Sequence, residues 1–199
     1  MTHLATTSLA DYLAALAAAT PTPGGGSAAG VTGAMGAALR EMVAGLSLAK
    51  GESEHTAVQG TALDQARAAR SELLTLAEED ATAFTTFMEA LKLPKNSESE
   101  RAARTAALST AAQRAAEVPL ATLRATVAVA EAAKSITDRS LASAESDLAV
   151  ASRFARAAGE SAAENVEANL PFIEDAEMRG TLARQTQAAL SELHRATPQ

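Results

Sequence analysis

Apolar residues recur three and four positions apart along almost the whole chain, and Pro, Gly or polar clusters separate the stretches in which they do so. That period is helical and predicts seven helices joined by short breaks. The first spans Leu9 to Ala19, capped by Ser8, with Leu9, Leu13 and Leu16 on one side. The second, Ala28 to Ala49, opens on Ser27 as N-cap and carries Val31, Met35, Leu39, Met42 and Leu46 as an apolar stripe. Gly26, Gly30 and Gly33 give it a narrow face near its start, where another helix can pack closely. Lys50-Gly51 ends it with a cation in the last turn and a glycine beyond. The third is long, Thr56 to Leu91, with Leu63, Ala66, Leu73, Ala77, Phe84 and Met88 along its apolar side. Ser97 and Glu100 form a capping box for a fourth helix reaching Ala116, and Pro119 separates it from a fifth, Leu120 to Ser135. A sixth runs from Ala144 to Asn169, and Pro171 divides it from the last, Glu174 to His194. No linker or repeat divides the chain, so residues 1–199 read as one all-α domain, an up-and-down bundle.

Composition narrows how such a bundle can be packed. Hydrophobic residues make up 47% of the 199 but aromatics only 3%, so the core is built from Ala, Leu, Val and Met, and its helices can approach closely. A net charge of −7 without a basic patch argues against nucleic acid as a partner. The absence of cysteine excludes disulfides, thiolate metal sites and a cysteine nucleophile. His3, His55 and His194 are too scattered to suggest a metal site. Met1 to Ser8 has no signal-peptide pattern, and Ala28 to Leu48 carries Arg40 and Glu41 midway, so neither secretion nor a membrane span is expected. The expected location is the cytoplasm.

Three features could carry chemistry. Pro21-Thr22-Pro23-Gly24-Gly25-Gly26-Ser27 is a turn largely free of side chains at a helix N-terminus, suited to close backbone packing or to an electron-rich ligand. It lacks the Gly-Lys-Ser/Thr of a nucleotide loop. Asp80 is flanked on its helix by Leu73, Leu76, Ala77, Ala83, Phe84 and Phe87. A carboxylate so placed is either a structural ion pair or cap, or a proton-transfer group whose pKa burial raises. Asp147 repeats the pattern more weakly. Asn165 and Asn169, one turn apart, can hydrogen-bond a heterocycle or bridge two helices; Lys50 and Lys95 sit at helix ends, where the dipole alone accounts for a cation.

Six motifs in order resemble the cyclodeaminase/cyclohydrolase family: Pro21 to Ala29 opening the helix that ends at Lys50, Glu79-Asp80-Ala81 with Ala83-Phe84, Leu93-Pro94-Lys95, Ala116 to Leu120, Ser146-Asp147 with Val150-Ala151, and Asn165-Val166 with Asn169-Leu170. The family includes the cyclodeaminase domain of formiminotransferase-cyclodeaminase and free-standing methenyltetrahydrofolate cyclohydrolases. The resemblance implies an all-helical homodimer with a folate groove near the glycine turn. It also implies hydrolysis of 5,10-methenyltetrahydrofolate to 10-formyltetrahydrofolate, or cyclisation of 5-formiminotetrahydrofolate to the methenyl form with release of ammonia. No metal and no cofactor beyond the tetrahydrofolate substrate is expected. Asp80 becomes the acid/base group, with Lys50 and Asp147 assisting. Pro23, Gly24, Gly25, Gly26, Ser27, Lys95, Asn165 and Asn169 become substrate-binding residues. A non-catalytic folate-binding or scaffold dimer is the alternative of a different class. Two stretches depart from the family pattern, Gly51 to His55 after Lys50 and Ala142 to Glu145 before Ser146.

Overall fold

The computed structural model describes residues 4–197. It consists of α1 (Leu9–Leu16), α2 (Gly25–Leu48), α3 (Thr56–Leu91), α4 (Glu98–Ser135), α5 (Glu145–Asn169) and α6 (Ala176–Ala196), with short 3₁₀ turns at Leu4–Thr6, Ala142–Ala144 and Leu170–Phe172. No strand occurs among the described residues. Helices α2 to α6 alternate in direction. Gly30 packs on Leu73 and Ala77 while Arg40 reaches Ala62, which sets α2 antiparallel to α3. Gly36 meets the backbone of Ala151, and Ser47 Oγ accepts the Leu141 N–H, which sets α2 antiparallel to α5.

Small residues make this packing possible. A Cβ on Gly30 would lie 2.8 Å from that of Ala77, and one on Gly36 would lie 2.9 Å from the Ala151 carbonyl oxygen. Only chains without a side chain there allow the helices so close. The main core runs through α2 to α6, with Ala29, Ala34 and Ala37 as the share of α2, and a smaller cluster around Val43, Ala62, Ala133, Ile136 and Leu148 closes the far end. Between them lies Arg40, fully buried, donating from Nη2 to the Ala62 carbonyl at 2.9 Å and to Gln65 at 3.2 Å. Burial lowers its pKa to about 10, and its Nε has no partner among the described residues.

Several sequence expectations change. Helix α2 begins at Gly25, with Gly24 in the N-cap position, so Ser27 lies inside the first turn rather than capping it. The α1 helix ends at Leu16, three residues before the sequence pattern predicts. The expected fourth and fifth helices are one, because α4 continues through Pro119. Proline has no N–H to give the carbonyl four residues back, that of Ala115. Asn169 Nδ2 on α5 supplies the missing donor at 3.0 Å, so the helix continues without an orphaned acceptor. The expected apolar stripe of α2 proves to be its outer face. Glycine, alanine and Arg40 face inward, while Met35, Met42 and Leu46 remain 40–46% exposed. The capping box of Ser97 and Glu100 and the span Thr56–Leu91 are as the sequence predicts.

Candidate functional site

Three helices and the turn before α2 converge at the end of the bundle where α2 begins. The turn passes through a cis Thr22–Pro23 peptide and delivers Gly25, Gly26 and Ser27 as the first residues of α2. Asp80, on α3, fits against Gly26 so closely that a Cβ at Gly26 would lie 2.6 Å from Oδ2 and overlap the carboxyl group. Its carboxylate accepts the backbone N–H of Ser27. Burial raises the pKa of Asp80, and the Ser27 hydrogen bond opposes that rise without cancelling it. Asp80 therefore holds a proton at a pH where an exposed aspartate would not.

On one side of this contact is a cavity of about 270 Å³ lined by Gly24, Gly25, Gly26, Asp80, Asn165 and Asn169, with Phe84, Phe87 and Phe172 as its apolar wall. Phe87 stacks edge-on against Phe172 at 5.0 Å and lies 6.3 Å from Phe84. Three of the four phenylalanines in an aromatic-poor chain thus surround one small cavity. That wall suits the face of a flat heterocycle. Asn165 lies over Gly25, with Nδ2 donating to the Ser161 carbonyl at 2.8 Å. Asn169 commits Nδ2 to the carbonyls of Ala115 and Asn165. Asn169 therefore engages both amide N–H groups within the protein and leaves its carbonyl oxygen, whereas Asn165 engages one N–H and leaves the other together with its carbonyl oxygen, groups suited to the polar edge of a heterocycle.

On the other side, a larger cavity of about 770 Å³ lies between α1 and α3, lined by Tyr12, Pro23, Ser27, Glu78, Thr82 and Thr86 among others. Tyr12 is the buried residue of α1, and its hydroxyl is 3.3 Å from Ser27 Oγ. Burial and the Asp80 charge raise its pKa, while the Ser27 hydroxyl works against them. Leu4 N–H donates to Glu78, holding the first 3₁₀ turn to α3. Ser27 thus touches the carboxylate through its backbone and the tyrosine through its side chain.

The expected site residues divide into two groups. Asp80, the turn from Pro21 to Gly26, Asn165 and Asn169 line one cavity, with Pro23 and Ser27 on the wall of the other. Lys50 and Asp147 do not join them within the chain. Lys50 follows the far end of α2, about 36 Å from Gly25 at 1.5 Å per residue. Asp147 lies in the first turn of α5, about 27 Å below Asn165 on the same rise. Lys95 is exposed in the α3–α4 connection, beyond the end of α3 and about 16 Å along it from Asp80. Tyr12 and the three phenylalanines went unpredicted as site residues. Their scarcity was the available signal: an aromatic in a core built from alanine and leucine is there for its ring. No group of three His, Asp or Glu side chains able to hold a metal ion occurs among the described residues.

Residues 8–188 match the family model described as formiminotransferase-cyclodeaminase. The chain belongs to this family. A methenyltetrahydrofolate cyclohydrolase of Methylorubrum extorquens is 35% identical over 184 residues, covering 91% of this chain and 88% of that one. The formimidoyltransferase-cyclodeaminase of Gallus gallus is 30% identical over 190 residues, 95% of this chain but 35% of the relative's length. The crystal structure of formiminotetrahydrofolate cyclodeaminase from Thermotoga maritima superposes with a TM-score of 0.80 at 27% identity, covering 97% of this chain and 96% of the other. This member of the formiminotransferase-cyclodeaminase family is accordingly all-α throughout its described length and is related to enzymes. No helix among the described residues is long and apolar enough to cross a membrane.

Proposed function

We propose that this chain is a tetrahydrofolate one-carbon enzyme that hydrolyses 5,10-methenyltetrahydrofolate to 10-formyltetrahydrofolate. The observation that carries the reading is the Asp80 carboxylate, half-buried against Gly26 in a cavity walled by Phe84, Phe87 and Phe172. Identity of 35% to a methenyltetrahydrofolate cyclohydrolase along nearly the full length of both chains supports the substrate assignment. The cavity of about 270 Å³ falls below the volume typical of pockets for whole drug-sized ligands, roughly 300 Å³ and above, so it suits the bicyclic head of a folate rather than the whole molecule.

In this reaction water attacks the one-carbon bridge between N5 and N10, and ionised Asp80 takes the proton that the water gives up. The N5–carbon bond then breaks, N5 receives a proton from Asp80, and the remaining hydroxyl loses its proton as the formyl group forms on N10. One water is consumed and one proton released. A base and acid positioned in this way contributes about a hundred- to ten-thousandfold in rate. The chemistry needs no metal and no cofactor besides the tetrahydrofolate substrate. The asparagine carbonyl oxygens bind N–H groups of the pterin, and Lys95 attracts the carboxylates of the tail. The enzyme works in the cytoplasm and as a homodimer, the dimer being supported by the uncovered aliphatic face of α2.

The second reading is cyclodeamination: N10 attacks the carbon of the protonated formimino group, Asp80 takes the N10 proton and passes it to the resulting amino group, and that group leaves as ammonia as the 5,10-methenyl cation forms. The structural likeness to the Thermotoga maritima cyclodeaminase favours it. Ultraviolet absorbance of the methenyl compound separates the two. Accelerated loss from 5,10-methenyltetrahydrofolate identifies the hydrolase, and appearance of that absorbance with ammonia from the 5-formimino compound identifies the deaminase. Binding without either change identifies a carrier and rejects both.

A further inference from the structure

Tyr12 is the one tyrosine of a chain whose other aromatics are four phenylalanines. It is 6% exposed and is the buried residue of α1, so it anchors that short helix to the bundle while Leu9 and Leu13 stay exposed. A phenylalanine would bury the same ring. The hydroxyl adds a desolvation cost that only a hydrogen bond offsets, and its partner is Ser27 Oγ at 3.3 Å. Holding α1 in place therefore requires the ring but not the hydroxyl.

The hydroxyl acts on Ser27, the third residue of α2. Gly24, in the N-cap position, has no side chain to cap that helix. The N–H groups of a first turn have no acceptor within their own helix. Asp80 accepts the one from Ser27, reaching across from α3. Ser27 is 1% exposed, so its hydroxyl is cut off from bulk solvent and meets Tyr12 instead. Tyr12, Ser27 and Asp80 thus form a line from α1 through α2 to α3, between the two cavities. Among the described residues lining those cavities, the titratable groups are Asp11 and Tyr12 on α1 and Glu78, Asp80 and Glu89 on α3; α2, α4 and α5 contribute none. Glu79, beside Asp80 in sequence, is paired with Arg114 of α4 at 2.7 Å. The charge that acts on Tyr12 is that of Asp80.

We infer that Tyr12 is a positioning residue for the proton transfers of Asp80: its hydroxyl fixes Ser27 in the first turn of α2, and the Ser27 N–H holds the carboxylate in its seat against Gly26. The inference rests on Asp80 being the acid/base group of the function proposed above. Loss of the Tyr12 hydroxyl leaves the ring, and with it α1, in place. It frees Ser27 to turn and slackens the N–H bond to Asp80. That bond lowers the pKa that burial raises, so a slacker one keeps Asp80 protonated to a higher pH.

Kinetics and the emission of Tyr12 test it. Tyr12→Phe is expected to lower kcat about ten-fold with KM little changed, since misplacing a reacting group by about an ångström costs up to about a hundred-fold. The acidic limb of its pH–rate profile is expected to move to higher pH. Ser27→Ala is expected to reproduce both changes, and the double variant to be no worse than either single one, because the two residues act as a unit. Wild-type kcat in Tyr12→Phe, or losses that multiply in the double variant, overturn the inference. A fall in kcat with an unmoved profile marks a merely structural tyrosine and overturns it too. The chain has no tryptophan, so its fluorescence belongs to Tyr12 alone, and an ionised carboxylate nearby quenches it. Wild-type emission is expected to fall as pH rises through the pKa of Asp80, and to fall at higher pH in Ser27→Ala. An emission step that is missing in the wild type, or equally large in Asp80→Asn, overturns the inference. This titration needs no substrate. A wild-type protein that turns over neither folate compound defeats the folate reading, while the emission step and its shift still decide whether Tyr12 and Ser27 hold the carboxylate.

Discussion

Gly26 and Asp80 share one volume: the carboxyl group occupies the space where any other residue at position 26 would place its Cβ. Gly26→Ala must therefore push Asp80 out of its seat or α2 away from α3. Overpacking of this kind costs about 1–3 kcal/mol, and the larger loss is in kcat, because the carboxylate no longer lies beside the Ser27 N–H. A Gly26→Ala protein that melts near the wild-type temperature and keeps its turnover number would contradict this. Asp80→Asn has the opposite signature. The pKa of Asp80 is raised in the folded state, so its protonated form is the better accommodated one. Its stabilising contribution is present below the unfolded pKa and is lost as pH rises through the folded pKa. Asp80→Asn is thus expected to match wild type in thermal midpoint in acid and to exceed it at neutral pH, while turnover disappears. Wild-type kcat/KM should rise with pH through that same raised pKa, since the base must be ionised to accept a proton. A thermal scan at several pH values and a pH–rate profile check both.

At the scale of the element, α4 shows how a sequence rule fails for a definable reason. Proline inside a helix withdraws one N–H and leaves one carbonyl open, so the sequence reads Pro119 as a boundary. The carbonyl is claimed by Asn169 from the next helix, and that partner is invisible in the local pattern. The same exchange fixes Asn169 at the cavity. Pro119→Ala restores the intrahelical donor and competes for the Ala115 carbonyl. We expect a gain of about 2 kcal/mol in stability, the proline penalty less the entropy it removes from the unfolded chain, together with a lower kcat/KM as Asn169 loses its anchor. Denaturant melts and steady-state kinetics on Pro119→Ala measure the two effects separately. Helix α2 fails the rule differently. Its stripe from Val31 to Leu46 is a sound helical pattern, yet its core face is the glycine and alanine side. Hydrophobicity shows where a helix has an apolar face; it does not say that the largest side chains lie inside when closest approach is what the core requires.

Over the whole molecule, the all-α class, the spans of the long helices apart from α4, the burial of Asp80 and the glycine turn before α2 are legible in the sequence, because period, capping and apolar surroundings are local. The aromatic wall and the separation of Lys50 from Asp80 are not, since both depend on which helices become neighbours. Arg40 belongs to the same class. It bonds to α3 and α4 from the middle of α2, fully buried and without a carboxylate among its hydrogen-bond partners. Such a group is costly to desolvate, and an apolar chain of similar length is often as good or better. Arg40→Met is expected to keep or raise the melting temperature; a fall of several degrees would show that the carbonyl bonds outweigh the desolvation of the guanidinium. The seat of Asp80 also has a use beyond this chain. Wherever another bundle of this kind carries any side chain at the position of Gly26, the acid has nowhere to sit, even if every catalytic residue is retained. A single backbone position then separates working enzymes from silent descendants, and a survey that compares only reactive groups would miscount them.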